Sequence, residues 1–172
     1  ASACCKPAVS YGLDWHPRLV PLGIWDDIWI ESRLQAHLCD AEVRYTLSDD
    51  RKTAEFTCNL TFSQPSCCYV VTMHNPEGAE VFRAEGTARE AQTQVTGTLR
   101  NVALWWPAGY GGQPLYTVRV CLDGREDAPE RALRLGFRTV ALVMHEGAWA
   151  EPSRMPKSRS HAPAAIQING RT

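Results

Sequence analysis

The chain has 172 residues, of which 44% are hydrophobic and 22% are charged. This composition is typical of a folded globular protein and excludes disorder for most of the length, while the length itself excludes a large enzyme. Eighteen basic and nineteen acidic side chains give a net charge of -1, so no overall field attracts nucleic acid. No apolar stretch approaches a membrane span, and the first residues lack the features of a signal peptide. We therefore expect a cytoplasmic protein without nucleic-acid or membrane partners.

The first 31 residues combine a β pattern with three tryptophans, but they are too short to fold alone. Within them, Asp14 stands beside Trp15 in a stretch rich in aromatic residues and glycine. A carboxylate can accept hydrogen bonds from sugar hydroxyls while an aromatic ring covers an apolar sugar face. The pair therefore suggests sugar binding, and the alternative is a structural turn whose tryptophans pack in a core.

Between residues 32 and 144, apolar and polar residues alternate or β-branched and aromatic stretches occur, with turn signals between them. Long amphipathic helices are absent from this pattern. It predicts seven strands in about 110 residues, which is the size of an immunoglobulin-like β-sandwich. The expected strands are 35–47, 53–62, 68–74, 79–84, 91–99, 115–121 and 131–144.

The stretch from residue 104 to residue 116 contains two adjacent tryptophans, Trp105 and Trp106, followed by a glycine-rich run. Two neighbouring side chains cannot both point to one face of a strand, so at least one should face another domain, a ligand or solvent. The glycines allow a tight turn that brings Tyr110 beside the pair. The cluster suits either a sugar platform or packing between domains.

Residues 145–172 begin with a stretch rich in proline, serine and arginine, which predicts a loop or linker. Residues 165–172 then predict a short strand that ends in an Asn-Gly turn, with no partner strand after the turn. We therefore expect the chain to stop within a hairpin.

The seven cysteines are odd in number and include two adjacent pairs, which does not fit a disulfide framework. We expect free thiols, and Cys58, Cys68 and Cys121 are expected to be buried because they lie among apolar residues. None of the cysteine spacings fits a zinc site, so neither a metal nor a cofactor is predicted. The histidines are scattered, and no hydrolytic triad is predicted.

These motifs, in this order, resemble glycoside hydrolase family 2, and within it the β-mannosidase branch. The matching positions are Gly12, Asp14, Trp15, Pro17, Arg18, Gly23, Ile24 and Trp25, nearly all of 104–116, and the stretches 135–140 and 166–170. Leu13 and His16 depart from the family pattern, which has Trp and Gly at these places. This departure leaves the preferred sugar open.

The resemblance implies a multidomain retaining glycosidase whose reaction takes place in a (β/α)8 barrel. Residues 1–31 would be the last strands of a sugar-binding jelly roll, 32–144 the complete sandwich, and 145–172 the lead-in to the barrel. A retaining enzyme needs two carboxylates about 5 to 5.5 Å apart. The family's Asn-Glu dipeptide is absent from this sequence, so no catalytic residue is expected in it.

By the same resemblance, Asp14 would contact a terminal mannose and Trp15 would support it, whereas Trp105, Trp106 and Tyr110 would pack between the sandwich and the barrel. The partners would be a terminal β-linked sugar and the other domains of the same protein. Two alternatives stay open. One is a stand-alone carbohydrate-binding sandwich, and the other is a family 2 enzyme of different specificity, such as a β-galactosidase or a β-glucuronidase.

Overall fold

The structure, a computed structural model, describes residues 23, 28, 30, 36–126, 130–145 and 164–172. The chain divides into two compact units, Ala1–Arg33 and Leu34–Thr172. In the described part of the second unit the regular structure is entirely β, and no helix there could cross a membrane. In chain order the strands are β1 (Leu38–Leu47), β2 (Thr53–Phe62), β3 (Cys68–His74), β4 (Glu80–Thr87), β5 (Gln92–Arg100), β6 (Tyr116–Leu122), β7 (Arg131–Leu135), β8 (Val140–Met144) and β9 (Ala164–Ile168).

Strands β1 to β7 form a sandwich of two sheets. One sheet has the order β1-β2-β5 and the other the order β4-β3-β6-β7, with antiparallel neighbours throughout. The chain crosses from one sheet to the other after β2, β4 and β5, as in immunoglobulin-like sandwiches. The predicted all-β, immunoglobulin-like fold is confirmed.

The core lies between the two sheets and follows from the alternation along the strands. In β2 the inward side chains are Ala54, Phe56, Cys58, Leu60 and Phe62, all buried. The ring of Phe56 meets the ring of Phe82 in the opposite sheet edge to face, with centroids 4.9 Å apart. Gly97 of β5 makes room for them, because a Cβ there would lie 2.6 Å from each ring.

The predicted strand over residues 131–144 is wrong, because the chain leaves the sandwich after β7 and forms a separate strand, β8. The break follows from the hydrogen bonds of Tyr45, whose hydroxyl lies 3.0 Å from the carbonyl oxygens of Gly136 and Arg138 and accepts a bond from the Arg138 N–H. Backbone groups bound in this way cannot continue a strand ladder. Phe137, between them, is fully buried.

Strand β8 pairs with β9 as an antiparallel ribbon, from the pair Val140 and Ile168 to the pair Met144 and Ala164. The strand predicted over residues 165–172 was expected to have no partner after its turn. In the structure this strand, β9, pairs with β8, which precedes it in the chain. In the turn that follows, Asn169 and Gly170 have φ angles of 50° and 78°. Two successive positive φ angles are the signature of a type I′ hairpin turn.

The five described cysteines, at positions 39, 58, 67, 68 and 121, are free thiols, as predicted. Cys58 and Cys121 are buried, also as predicted. Cys68, however, is exposed, so that expectation is wrong. Its neighbour Cys67 takes the buried position instead, with 4% of its surface accessible, and adjacent residues point in opposite directions where a strand begins.

Candidate functional site

The segment with the two tryptophans is a closed loop between β5 and β6. The backbone N–H of Trp105 donates to the carbonyl of Phe137 over 2.8 Å, and that of Trp106 donates to the carbonyl of Gly112 over 2.9 Å. Inside the loop, the N–H of Tyr110 donates to the carbonyl of Pro107 over 3.0 Å. The loop is thus held both to itself and to the segment that joins β7 to β8.

Each indole ring contacts a glycine and lies beneath an arginine. A Cβ at Gly136 would lie 3.1 Å from Trp105, and the Arg138 guanidinium is 4.4 Å from the centre of that ring. Trp106 approaches residue 111 in the same way, since a Cβ on that glycine would lie 2.8 Å from the indole. The Arg171 guanidinium is 5.4 Å from the Trp106 ring centre. Both distances are in the range of cation–π attraction.

Asn169 joins the β8–β9 ribbon to this loop. Its side-chain oxygen accepts a hydrogen bond from the Thr139 N–H over 2.9 Å, and its side-chain nitrogen donates to the Trp105 carbonyl over 3.0 Å. A third bond runs from its backbone N–H to the Thr139 carbonyl. Only 5% of Asn169 is accessible, and a buried amide is retained at low cost only when its groups are paired in this way.

A cluster of aromatic rings supports the loop from below. The Phe137 ring packs edge to face against both Tyr45 and Tyr116, with centroids 4.9 Å apart in each case. The Tyr116 hydroxyl accepts a hydrogen bond from the Ala103 N–H at the start of the loop. Since the supporting rings are fixed by packing and by hydrogen bonds, the two tryptophans are presented on a rigid base.

Beside Trp106 lies a cleft of about 270 Å³ between the loop and the β9 hairpin. Its lining is Trp106, Pro107, Tyr110, Ile166, Ile168, Arg171 and Thr172. Tyr110 is 60% exposed and Ile166 is 64% exposed, although both are largely apolar. An apolar cleft with exposed aromatic and aliphatic walls and one cation is suited to recognition of another molecule or domain.

The cleft at Trp106 has aromatic and aliphatic walls and one guanidinium group. None of its lining residues is an aspartate, a glutamate or a histidine. The described groups with a clearly shifted pKa lie elsewhere, as at Cys58, where burial raises the thiol pKa to about 11. Among the described residues, no group of three or more His, Cys, Asp or Glu could hold a metal ion.

A second concavity, of about 750 Å³, lies on the outer face of the three-stranded sheet, and its lining contains no aromatic residue. Its polar side chains bind one another. Glu42 accepts a hydrogen bond from Arg44 over 3.0 Å, and Gln94 donates to Asn59 over 2.9 Å. The lining of this concavity therefore offers no ring on which a sugar could stack, and the cleft at Trp106 is the stronger candidate of the two.

The residues singled out from the sequence are only partly brought together. Trp106 and Tyr110 line one cleft, whereas Trp105 is turned toward Gly136 and does not line it. Asp14 and Trp15 lie outside the described residues. The role of Asn169 as a link between two segments was not predicted from the sequence. The Asn-Gly dipeptide signalled only a turn, and nothing in it indicated where the amide would point.

Comparisons with known proteins agree with this architecture. The family model for glycosyl hydrolases family 2 matches residues 27–138. β-Mannosidase B of Neosartorya fischeri is 29% identical over 145 residues, which are 80% of this chain and 17% of that protein. The crystal structure of a β-D-mannosidase from Dictyoglomus thermophilum is similar with a TM-score of 0.65 and 27% identity, over 94% of this chain and 19% of that one.

A β-glucuronidase of Bacteroides uniformis, β-glucuronidase 3, is similar in structure with a TM-score of 0.59. Its 18% identity, over 79% of this chain and 14% of that chain, indicates a shared fold alone. This chain thus spans less than a fifth of the length of the proteins that it matches.

Proposed function

Because the chain belongs to glycosyl hydrolases family 2, we propose that it is the immunoglobulin-like sandwich region of a retaining, β-mannosidase-like glycosidase. The observation that carries the proposal is the match to β-mannosidases over most of the chain, 80% in one relative and 94% in another. The complete protein would hydrolyse terminal β-mannosides. The sandwich would hold the domain that binds the sugar and the domain that performs the reaction in register.

Among the specificities found in the family, the sequence favours the mannoside. The β-mannosidases share 27% to 29% identity with this chain, whereas the β-glucuronidase 3 shares 18%. The double-tryptophan loop, held by Asn169, supports the same choice because it is the segment on which the resemblance to the β-mannosidase branch rests. Leu13 and His16 still leave room for a different preferred sugar.

The sandwich itself would be non-catalytic. Retaining hydrolysis requires a nucleophile and an acid/base carboxylate about 5 to 5.5 Å apart, and the cleft at Trp106 has no carboxylate side chain in its lining. The reacting pair would lie in a barrel domain, at the carboxyl ends of its strands. Asp14 would contribute to the same active site by binding the terminal sugar, with Trp15 as its packing support.

Trp105, Trp106 and Tyr110 would serve at the interface with the neighbouring domain. The exposure of Tyr110 and of Ile166 next to a half-buried indole supports this role, because contiguous exposed apolar surface marks an interaction site. The hydrogen bonds of Asn169 would keep the docking surface in shape when the partner domain binds.

The test is a comparison of substrates with the protein encoded by the complete gene. We expect hydrolysis of 4-nitrophenyl β-mannoside with retention of anomeric configuration, and a much lower kcat/KM for the β-glucuronide and the β-galactoside. A higher kcat/KM for either competitor would overturn the mannoside assignment while leaving the family intact. Absence of turnover with every β-glycoside would overturn the enzymatic proposal.

A second candidate function, a carbohydrate-binding module, is favoured by the exposed Tyr110 ring at the mouth of the cleft. Titration of the 172-residue chain with mannobiose, followed by tryptophan fluorescence, decides between the two. Saturable binding that is lost in Tyr110→Ser would support the module. An unchanged spectrum would leave the interface role of these rings.

A further inference from the structure

The turn after β9 is surrounded by arginines. Arg171 lies over Trp106, and Arg138 lies over Trp105 beside the residues that bind Asn169. A third guanidinium, that of Arg51 in the β1–β2 turn, packs against Gly170, where a Cβ would lie 2.6 Å from its terminal nitrogen. These three positive charges therefore contact one small region of the surface, formed by the tryptophan loop and the β9 turn.

None of these three arginines is neutralised within the described part of the chain. The salt bridges there engage Arg44, Arg83 and Arg125 instead. The Nε atom of Arg51 is buried and has no hydrogen-bond partner. Arg138 and Arg171 are exposed, so a carboxylate from outside could accept hydrogen bonds from their guanidinium groups.

Next to the arginines, the cleft at Trp106 offers space for a side chain. Its volume of about 270 Å³ is below the roughly 300 to 1,000 Å³ of sites for drug-sized ligands. It is large enough for one or two apolar side chains, as in the central pocket of a protein interface. Arg171 lines this cleft, and Arg138 lies over the neighbouring indole of the same loop, so the positive charge and the apolar lining belong to one surface.

We infer that this surface, defined by Trp106, Tyr110, Ile166, Arg138 and Arg171, docks a protein segment in which an apolar side chain is flanked by carboxylates. The apolar side chain enters the cleft and the carboxylates face the guanidinium groups. The inference rests on the proposed interface role of the tryptophan loop and adds the chemistry of the partner. A purely apolar partner would leave the positive charges unpaired.

The test uses the 172-residue chain and three capped hexapeptides in about 50 mM NaCl, where exposed charges are only partly screened. The first peptide has a pair of leucines flanked by glutamates. In the second, glutamines replace the glutamates, and in the third, serines replace the leucines. Binding is followed by NMR through the indole N–H signal of Trp106, which lines the cleft.

We expect the first peptide to shift this signal saturably and to bind about fivefold more tightly than the glutamine peptide, since an exposed charge contact contributes up to about 1 kcal/mol. It should also bind more tightly than the serine peptide, which has no apolar side chain to bury in the cleft. Arg171→Glu should weaken its binding by about fivefold, because one exposed charge contact is lost. The matched control is Arg89→Glu, which has the same charge change on an exposed residue between β4 and β5. It should bind like the unaltered chain.

Each other outcome overturns the inference in a distinguishable way. If the glutamine peptide binds as tightly as the glutamate peptide, the surface is an apolar interface and its assigned partner chemistry is wrong, while the proposed function stands. If the serine peptide binds as tightly as the first peptide, the apolar cleft plays no part in binding. If no peptide shifts the Trp106 signal, the docking surface itself is wrong, and the interface role under the proposed function falls with it.

Discussion

Replacement of Asn169 by alanine should detach the β8–β9 ribbon from the tryptophan loop while the sandwich stays folded. The side chain makes two hydrogen bonds between segments, to Thr139 and to Trp105, and each contributes about 1 kcal/mol. Its φ of 50° lies in the left-handed region, where alanine costs about 1 kcal/mol more. The sum is about 3 kcal/mol, or roughly a 100-fold rise in the opening equilibrium of the ribbon.

Hydrogen exchange measures this opening directly, because a two-stranded ribbon without further support is marginally stable. Amides of β8 and β9 should exchange about 100-fold faster in Asn169→Ala, whereas those of β6 should be unchanged. Asn169→Gly removes the same two bonds but tolerates the positive φ, so its exchange should rise only about 30-fold.

Asn101→Ala is the matched control for the backbone contribution. Asn101 has a φ of 54° and is exposed, so its replacement should carry the conformational cost without the loss of bonds between segments. Exchange in the ribbon should then match that of the unaltered chain. If Asn169→Ala accelerates β6 as much as β9, or leaves both unchanged, the view of Asn169 as a local link is wrong.

Three further predictions concern packing, pH and activity. Gly111→Ala should displace the Trp106 ring and shift its fluorescence, because the new Cβ would lie 2.8 Å from the indole. Gly112→Ala should leave the spectrum unchanged, because the nearest atom to its new Cβ would be 3.6 Å away. Equal spectra for the two variants would contradict this packing. Burial raises the pKa of Cys58 from 9.0 to about 11, so only the unfolded thiol ionises between these values and the free energy of unfolding should fall as pH rises through this window. Urea titrations should show a weaker fall in Cys58→Ala, and identical pH slopes would refute the assignment. In the complete enzyme, Asp14→Ala should lower kcat/KM for a β-mannoside about 10-fold to 100-fold, as expected for a lost hydrogen bond to a charged group, and an unchanged kcat/KM would exclude a substrate contact.

The sandwich was predictable from the sequence because its strands alternate regularly. In β2, every second residue from Ala54 to Phe62 is buried, and that period is visible in the letters alone. The predicted bounds of β2 and β3 agree with the structure, and those of β1, β4, β5 and β6 differ by a few residues, as is usual for the ends of strands.

The break between β7 and β8 was not predictable in the same way. The residues on both sides continue an apolar and β-branched pattern, and the strand ends because the distant Tyr45 hydroxyl binds the backbone at Arg138. Interactions across about 90 positions leave no local signal. The same holds for Arg51 and Gly170, which meet only after two turns from opposite ends of the chain are brought together.

The candidate site was predictable in composition but not in arrangement. Adjacent aromatic residues within a glycine-rich run indicated a surface for recognition, and Trp106 and Tyr110 do line one cleft. The sequence could not show that Trp105 packs beneath Arg138, or that an asparagine more than 60 residues later would hold its backbone. These contacts depend on the path of the chain after β7.

The most direct test of the proposed function is β-mannoside hydrolysis by two proteins measured side by side, the purified 172-residue chain and the product of the complete gene. We predict turnover by the complete protein and none by the chain alone, because the sandwich would position domains and would not supply the reacting carboxylates. Hydrolysis of the β-mannoside by the purified 172-residue chain would contradict the account.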